Sequence, residues 1–230
     1  MPYAVNAAIS RTEAPPIMEA QTWIRPGLRN RKLINLCQAV PGYPPAAELQ
    51  REVARAALLD GTSLYTDIFG LPELRQELAR HMAADYGGAI APDEVCITSG
   101  CNQAFAAALL ALAAPGDNVI VPVPYFFNHT MWLGMQGIEA RFIPAMGTQG
   151  AWPEAADAAP LIDGRTRAIM LCSPNNPTGA IYPPQAIAAL FDLAREKGIA
   201  LVISAGRTGR TAGAWRSARG ISRSSPPSMP

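Results

Sequence analysis

Ser173-Pro174-Asn175-Asn176-Pro177-Thr178-Gly179 is the stretch from which the fold of this chain is read. It follows an apolar run, Ala168-Ile169-Met170-Leu171-Cys172, which predicts a parallel strand buried on both faces. It precedes residues 183–197, whose apolar positions recur at helical spacing. A polar turn rich in Asn, Pro and Gly at the carboxyl end of such a strand is where open α/β sheets hold their ligands. Asn176 offers an amide donor there, and Gly179 lets the backbone pass close to a bound ring. Taken alone, the turn reads equally well as punctuation between a strand and a helix.

Outward from this turn the same alternation repeats. Strands are predicted at 95–98, 118–121, 140–143, 168–172 and 200–203, with helices at 103–113, 128–135, 153–161 and 183–197 between them. Short apolar strands alternating with helices predict a mainly parallel α/β sheet with helices on both faces. Nearer the amino terminus, residues 15–30 read as irregular, anchored by Trp23 and Ile24, and 32–36 as a short strand. Helices are predicted at 46–59 and 73–86, the second opened by Pro72 and closed by Gly87-Gly88.

Composition narrows the function classes. Hydrophobic residues make up 49% and charged residues 16%, enough apolar material for a core. The net charge of +1 gives no reason to expect a nucleic-acid or membrane-surface partner. No apolar run is long enough to span a bilayer, and Met1-Pro2-Tyr3-Ala4-Val5-Asn6 lacks the pattern of a secretory signal, so a cytoplasmic protein is expected. Cys37, Cys96, Cys101 and Cys172 form no Cys-x-x-Cys pair and are expected to be reduced, mostly buried thiols, with no metal site. Residues 205–230 differ in kind, with five arginines, no acid and little but Ser, Gly, Pro and Ala besides. Disorder is the expectation there. A basic tail for an acidic partner is one reading; a coding frame lost after Ser204 is favoured, because the composition changes abruptly at that point.

Two further stretches are candidates for chemistry. Thr98-Ser99-Gly100-Cys101-Asn102-Gln103 closes a predicted strand and opens a helix, whose free N–H groups and dipole favour an anion such as phosphate. Val121-Pro122-Val123-Pro124-Tyr125-Phe126-Phe127-Asn128-His129 follows the next strand, and its aromatic rings either stack on a planar ligand or belong to the core.

Together these motifs resemble the class I/II aminotransferases, fold type I enzymes that depend on pyridoxal 5'-phosphate (PLP), from about residue 15 to residue 204. The resemblance implies that Ser99, Gly100, Cys101 and Asn102 hold the PLP phosphate. Phe126 stacks on the ring, with Tyr125 the alternative if the register slips by one, and Asn176 donates to the phenolic oxygen. Tyr65 reaches the phosphate of a neighbouring subunit, implying a homodimer, and Ala39 and Val40 line the substrate pocket. His129 matches a histidine near the acid that pairs with the ring nitrogen; a structural histidine is an equal reading. The implied reaction is transfer of an amino group between an amino acid and a 2-oxo acid, most like the aspartate-type or aromatic-type members. A lyase or decarboxylase on the same scaffold, or a non-catalytic remnant pairing with a complete subunit, are the alternatives. A nucleotide-binding domain is disfavoured, because no Gly-x-Gly-x-x-Gly or Walker-type loop follows a strand.

The resemblance also implies what is missing. Such enzymes need a lysine that bonds to the cofactor and moves a proton, and an acid that keeps the ring nitrogen protonated. By the family pattern the acid follows Ser204, where Ala205 stands, and the only lysines are Lys32 and Lys197. No catalytic residue is therefore assigned, and the chain alone is expected to be inactive. The expected organisation is an arm and small-domain segment at 1–45, an incomplete PLP-binding large domain at 46–204, and the tail at 205–230. The family pattern also leaves the strand at 95–98 without its neighbour while the other four strands stay together.

Overall fold

The computed structural model describes residues 3–27, 34, 41–146 and 150–205. The expected strand at 32–36 (Ile34 apart), the candidates Ala39 and Val40, Cys37, Lys32 and all of the tail beyond Ala205 lie outside the described residues. The chain divides into two compact units, Glu13–Ile68 and the remainder.

The larger unit begins with α1 (Ala7–Ser10), capped by Asn6, whose Oδ1 accepts from the Ala8 N–H at 2.9 Å. It continues with α4 (Pro72–Tyr86), α5 (Cys101–Leu112), β1 (Asn118–Val123), α6 (Phe127–Met135), β2 (Glu139–Pro144), α7 (Ala155–Ala158), β3 (Thr166–Ser173), α8 (Pro184–Lys197) and β4 (Ala200–Ala205). The four strands form one sheet in the order β2-β1-β3-β4, and every pair is parallel.

The central strands are buried on both faces, so successive residues serve two cores. Ile120 of β1 and Ile169 and Leu171 of β3 face Ile187, Leu190 and Ala194 of α8. Val119 and Val121, with Ala168 and Met170, face Phe105 and Leu109 of α5 and Leu133 of α6. Ile169 and Leu190 are fully buried, and each such side chain contributes about 2 kcal/mol of transfer free energy. Helix α8 starts with Pro184 in its first turn and stops at Gly198, whose φ of +66° suits glycine.

One predicted strand is absent. Residues 95–98 join no ladder; they are held instead by the Ile97 N–H on Phe69 O and by Arg75 Nε on Val95 O, each at 2.9 Å. A β-branched run becomes a strand only where a neighbour takes its backbone groups. Among the described cysteines, Cys96 and Cys101 are exposed and Cys172 is half-buried, which corrects the expectation of mostly buried thiols.

The unit Glu13–Ile68 carries α2 (Pro16–Gly27), α3 (Ala47–Ala57) and a 3₁₀ turn at Asp60–Ser63. Helix α2 replaces the irregular segment expected there: Pro16 sits at its first position, where the lost N–H costs nothing. Trp23 lies exposed on it, which corrects its expected role as an anchor. Helix α3 buries no residue and shows the surface pairs Arg51–Glu48 at 3.0 Å and Arg55–Glu52 at 2.8 Å, each worth about 0.5 kcal/mol or less.

At the amino edge of the sheet a polar network ties three strands together. Asp163 Oδ1 accepts from Asn118 Nδ2 at 3.0 Å and from the Arg165 N–H at 2.9 Å, while its Oδ2 lies 2.8 Å from an Arg141 guanidinium nitrogen. The Arg165 N–H, then Asn118 and Arg141, hold the Asp163 carboxyl well below the usual carboxylate range.

Candidate active site

The strand order places a switch point between β1 and β3. The chain leaves β1 for α6 on one face and leaves β3 for α8 on the opposite face, so the two loops part at the carboxyl edge. A crevice at such a point is the general ligand site of open α/β sheets. Here Pro122 stands at that point. The β1–β3 ladder ends at Ile120 and Ile169, and proline has no N–H with which to extend it. A cleft opens beyond, lined among others by Pro122, Phe126, His129, Cys172, Asn175 and Tyr182.

At one side stands the start of α5. Gly100 caps it with φ +84°, a conformation that favours glycine, and no atom lies within 4 Å of where a Cβ would project. The Ser99 N–H is taken by Gln103 Oε1, so the turn already uses one backbone donor internally. No acceptor among the described residues meets the N–H groups of Cys101 or Asn102. These are the orphan donors of a helix start, with the positive end of the helix dipole behind them. Asn128 Nδ2 donates to Asn102 Oδ1 at 3.2 Å, joining this turn to the start of α6.

The β1 loop supplies the aromatic rings. Tyr125 stacks on Phe142 of β2, centroids 5.3 Å apart and planes 11° from parallel. Phe126 instead stands edge-on to His129, at 5.5 Å and 89°. His129 is buried between Phe126 and Phe105, and burial pushes its pKa down to about 4. Its ring is therefore neutral near pH 7, and it makes no side-chain hydrogen bond among the described residues.

The β3 loop separates two adjacent asparagines that look alike in sequence. Asn176 is exposed. Asn175 is buried, donates to Pro124 O at 3.3 Å and Tyr182 Oη at 2.9 Å, and accepts from the Thr178 N–H at 3.2 Å and hydroxyl at 2.9 Å. Tyr182 is also buried, which raises its phenol pKa to about 12 and keeps it neutral. Sequence reasoning assigned neither Asn175 nor Tyr182 a role; the signal available was an Asn-Asn pair followed by a tyrosine ahead of a helix.

Gly100, Cys101, Asn102, Phe126 and Asn176 thus all lie at the carboxyl edge of the sheet, linked through the Asn102–Asn128 and Asn175–Pro124 hydrogen bonds. Tyr65 belongs to the other unit and is fully exposed. Strand β4 ends at Ala205, beside Ser173, so an alanine stands where the acid was expected. Lys197 lies at the opposite edge, at the end of α8, with its Nζ 2.8 Å from Glu196.

A parallel four-stranded sheet covered by helices on both faces, with the β1 and β3 loops meeting at a switch point on its carboxyl edge, defines an open α/β domain. The model of the family described as aminotransferase class I and II matches residues 31–204, and the chain belongs to that family. It is 34% identical to the aspartate/prephenate aminotransferase of Thermus thermophilus over 174 residues, 75% of this chain and 45% of the relative. It is 30% identical to the aspartate aminotransferase of Thermotoga maritima, covering 76% and 46% respectively. The crystal structure of the aspartate aminotransferase from Thermotoga maritima superposes with a TM-score of 0.79 at 29% identity, covering 87% of this chain and 53% of that one. The chain spans about half the length of the relatives it matches.

Proposed function

We propose that this chain is the cofactor-holding portion of a PLP-dependent aminotransferase that moves an amino group between an amino acid and a 2-oxo acid. The observation carrying this is that Phe126 and Asn175, the residue before Asn176, line one crevice at the carboxyl edge, while the start of α5 is tied to the start of α6 by the Asn128–Asn102 hydrogen bond. The open N–H groups of Cys101 and Asn102, with free space above Gly100, suit the phosphate. Ser99 contributes its hydroxyl, since its backbone donor is engaged by Gln103. Phe126 suits the ring face better than Tyr125, which is already stacked on Phe142. Asn176, exposed at the loop tip, would donate to the phenolic oxygen and favour its anionic form. When bound, PLP supplies an electron sink for the substrate's α-carbon. The neutral His129 packs beneath the site and holds Phe126 in place.

The aspartate/prephenate-type relatives favour amino-group transfer over elimination or decarboxylation. Tyr65 is assigned to a partner subunit's phosphate in a homodimer, and Ala39 and Val40 to the substrate pocket of a small-domain segment at 1–45, with 46–204 the PLP-binding portion. The 230 residues alone are assigned no turnover: Lys197 lies at the edge of the sheet opposite the candidate site, and Ala205 stands where the resemblance implies an acid.

Titration with PLP, followed by absorbance and competed with inorganic phosphate, tests the site. Saturable binding that phosphate reverses, with a band that shifts in Asn176→Ala, is expected. Binding unaffected by phosphate or by Asn176→Ala would overturn the assignment.

A further inference from the structure

We infer that Asn175 is a positioning residue: it locks the loop that carries Asn176 to the loop that carries Phe126, and so sets the gap into which a planar ring fits. The inference rests on the reading of the site given above and adds to it the device that holds the site's two sides together.

The two loops leave neighbouring strands whose ladder has already ended at Ile120 and Ile169, so no backbone pairing holds them beyond that point. Asn175 replaces it. A side-chain amide has two donor hydrogens and two acceptor lone pairs, and all four are used. Nδ2 donates to Pro124 O and to Tyr182 Oη, and Oδ1 accepts from the Thr178 N–H and the Thr178 hydroxyl. The orientation of the amide is fixed by chemistry, since Pro124 O can only accept and the Thr178 N–H can only donate. The backbone of Asn175 is also held, its N–H by Ala180 O and its carbonyl by the Gly179 N–H, each at 2.7 Å. Tyr182 is pinned in turn by its own N–H on Ser173 Oγ at 3.0 Å. The residue is 5% exposed, so a lost partner is not replaced freely by water. The bond to Pro124 O falls two residues before Phe126, and the Asn175 backbone leads directly into Asn176. Moving Asn175 therefore moves the ring face and the phenolic-oxygen donor relative to each other. Displacements of about 1 Å in a positioned site are enough to cost function.

Asn175→Asp tests this with little change of shape. The carboxylate keeps an acceptor for Thr178 but sets an oxygen against Pro124 O, breaking the link between the loops while sparing the turn within one of them. Backbone hydrogen exchange of the 230-residue chain is followed over residues 126–129 and, as an internal control, over α8. The expected result is exchange about tenfold faster at 126–129, with α8 unchanged. PLP affinity should fall about tenfold and the absorbance band of bound PLP should shift, while affinity for inorganic phosphate, held at α5, stays as it was. Tyr182→Phe, which keeps the Pro124 bond, should give a smaller change of the same kind and serves if Asn175→Asp does not fold. Unchanged exchange at 126–129 in both variants overturns the inference even if PLP affinity falls. Faster exchange with an unmoved band and unmoved PLP affinity also overturns it, because Asn175 would then hold the loops without setting the ring's place. Failure of the unsubstituted chain to bind PLP at all would be a different result: it overturns the functional reading first, and the assignment of Asn175 with it.

Discussion

Asn128 Nδ2 donates to Asn102 Oδ1 across 3.2 Å, so the first turns of α6 and α5 are fastened to each other by side chains alone. Asn102 is a candidate phosphate-site residue, yet its role there is assigned to its backbone N–H. The side chain is free to serve as a strut. Asn128→Ala should therefore lower stability by about 1 kcal/mol or less, the net worth of one accessible hydrogen bond. Phosphate affinity should change by less than about threefold, because the backbone donors and the helix dipole are untouched. Urea unfolding and phosphate competition measure the two effects. A loss of phosphate binding much larger than the loss of stability would mean that the side chains, not the backbone, form the cup.

At the other edge, Asp163 is the hinge of the polar network. Asp163→Ala removes the acceptor of Asn118 Nδ2, and Asn118 is fully buried. It also removes the partner of the half-buried Arg141 guanidinium, although Glu139 remains 3.3 Å away. Leaving a buried amide donor unsatisfied costs about 1–3 kcal/mol, and the destabilisation should fall in that range. Ligand binding at the carboxyl edge should be unaffected at temperatures where the variant is folded. Chemical denaturation gives the first quantity and PLP titration the second; equal stability of the variant and the parent would show that the network is a surface ornament.

The strands were legible because each central strand reads as an unbroken apolar run, such as Ala168-Ile169-Met170-Leu171, and the structure buries both of its faces. Residues 95–98 read the same way locally, but whether such a run is a strand depends on a neighbour that no local pattern encodes. Helix α2 was hidden by its prolines, Pro16 and Pro26, which read as breaks in a pattern, although Pro16 stands at the first helical position, where a proline is tolerated. Asn176 and Phe126 are assigned by resemblance, not by any local pattern. The division of labour between Asn175 and Asn176 was not legible, because burial distinguishes them and residue type does not. The same holds for His129, whose two readings differ only in what surrounds the ring.

His129 makes stability depend on pH in a defined window. Its ordinary pKa of 6.5 falls to about 4 in the folded chain because burial disfavours the imidazolium. Above pH 6.5 the ring is neutral in both folded and unfolded chains, and the contribution is fully present. Between 6.5 and 4 the unfolded chain takes up a proton that the folded chain refuses, so stability falls as the pH falls. The loss should reach about 3 kcal/mol by pH 4 and then level off. Asp117 and Asp163, whose pKa values are also depressed, add to acid sensitivity only as the pH nears the ordinary aspartate range, near 4. Denaturant midpoints at pH 7 and pH 5, for the parent chain and for His129→Gln, separate these groups. The pH 7 to 5 loss should be mostly abolished in His129→Gln, and a loss retained in full would assign it elsewhere.

The last prediction concerns turnover. Covalent attachment of PLP needs an amine at the carboxyl edge, where the candidate site lies. Lys197 ends α8, three residues before β4 begins at Ala200, so it sits at the amino edge. Five steps of about 3.3 Å along β4 put roughly 16 Å between the edges, more than a lysine side chain can cover while also turning around the sheet. Its ammonium group is moreover engaged by Glu196. Neither Ala205 nor any other residue at the end of β4 supplies an acid to the ring nitrogen among the described residues. The 230-residue chain should therefore bind PLP reversibly, through the start of α5 and Asn176, and should not transaminate. Borohydride reduction of the PLP-loaded chain, with peptide mass mapping, should show scattered, sub-stoichiometric labelling, and an amino-acid-to-2-oxo-acid assay should read background. One stoichiometric pyridoxyl-lysine at Lys197 or Lys32, together with turnover that disappears when that lysine is replaced by alanine, would sink the prediction.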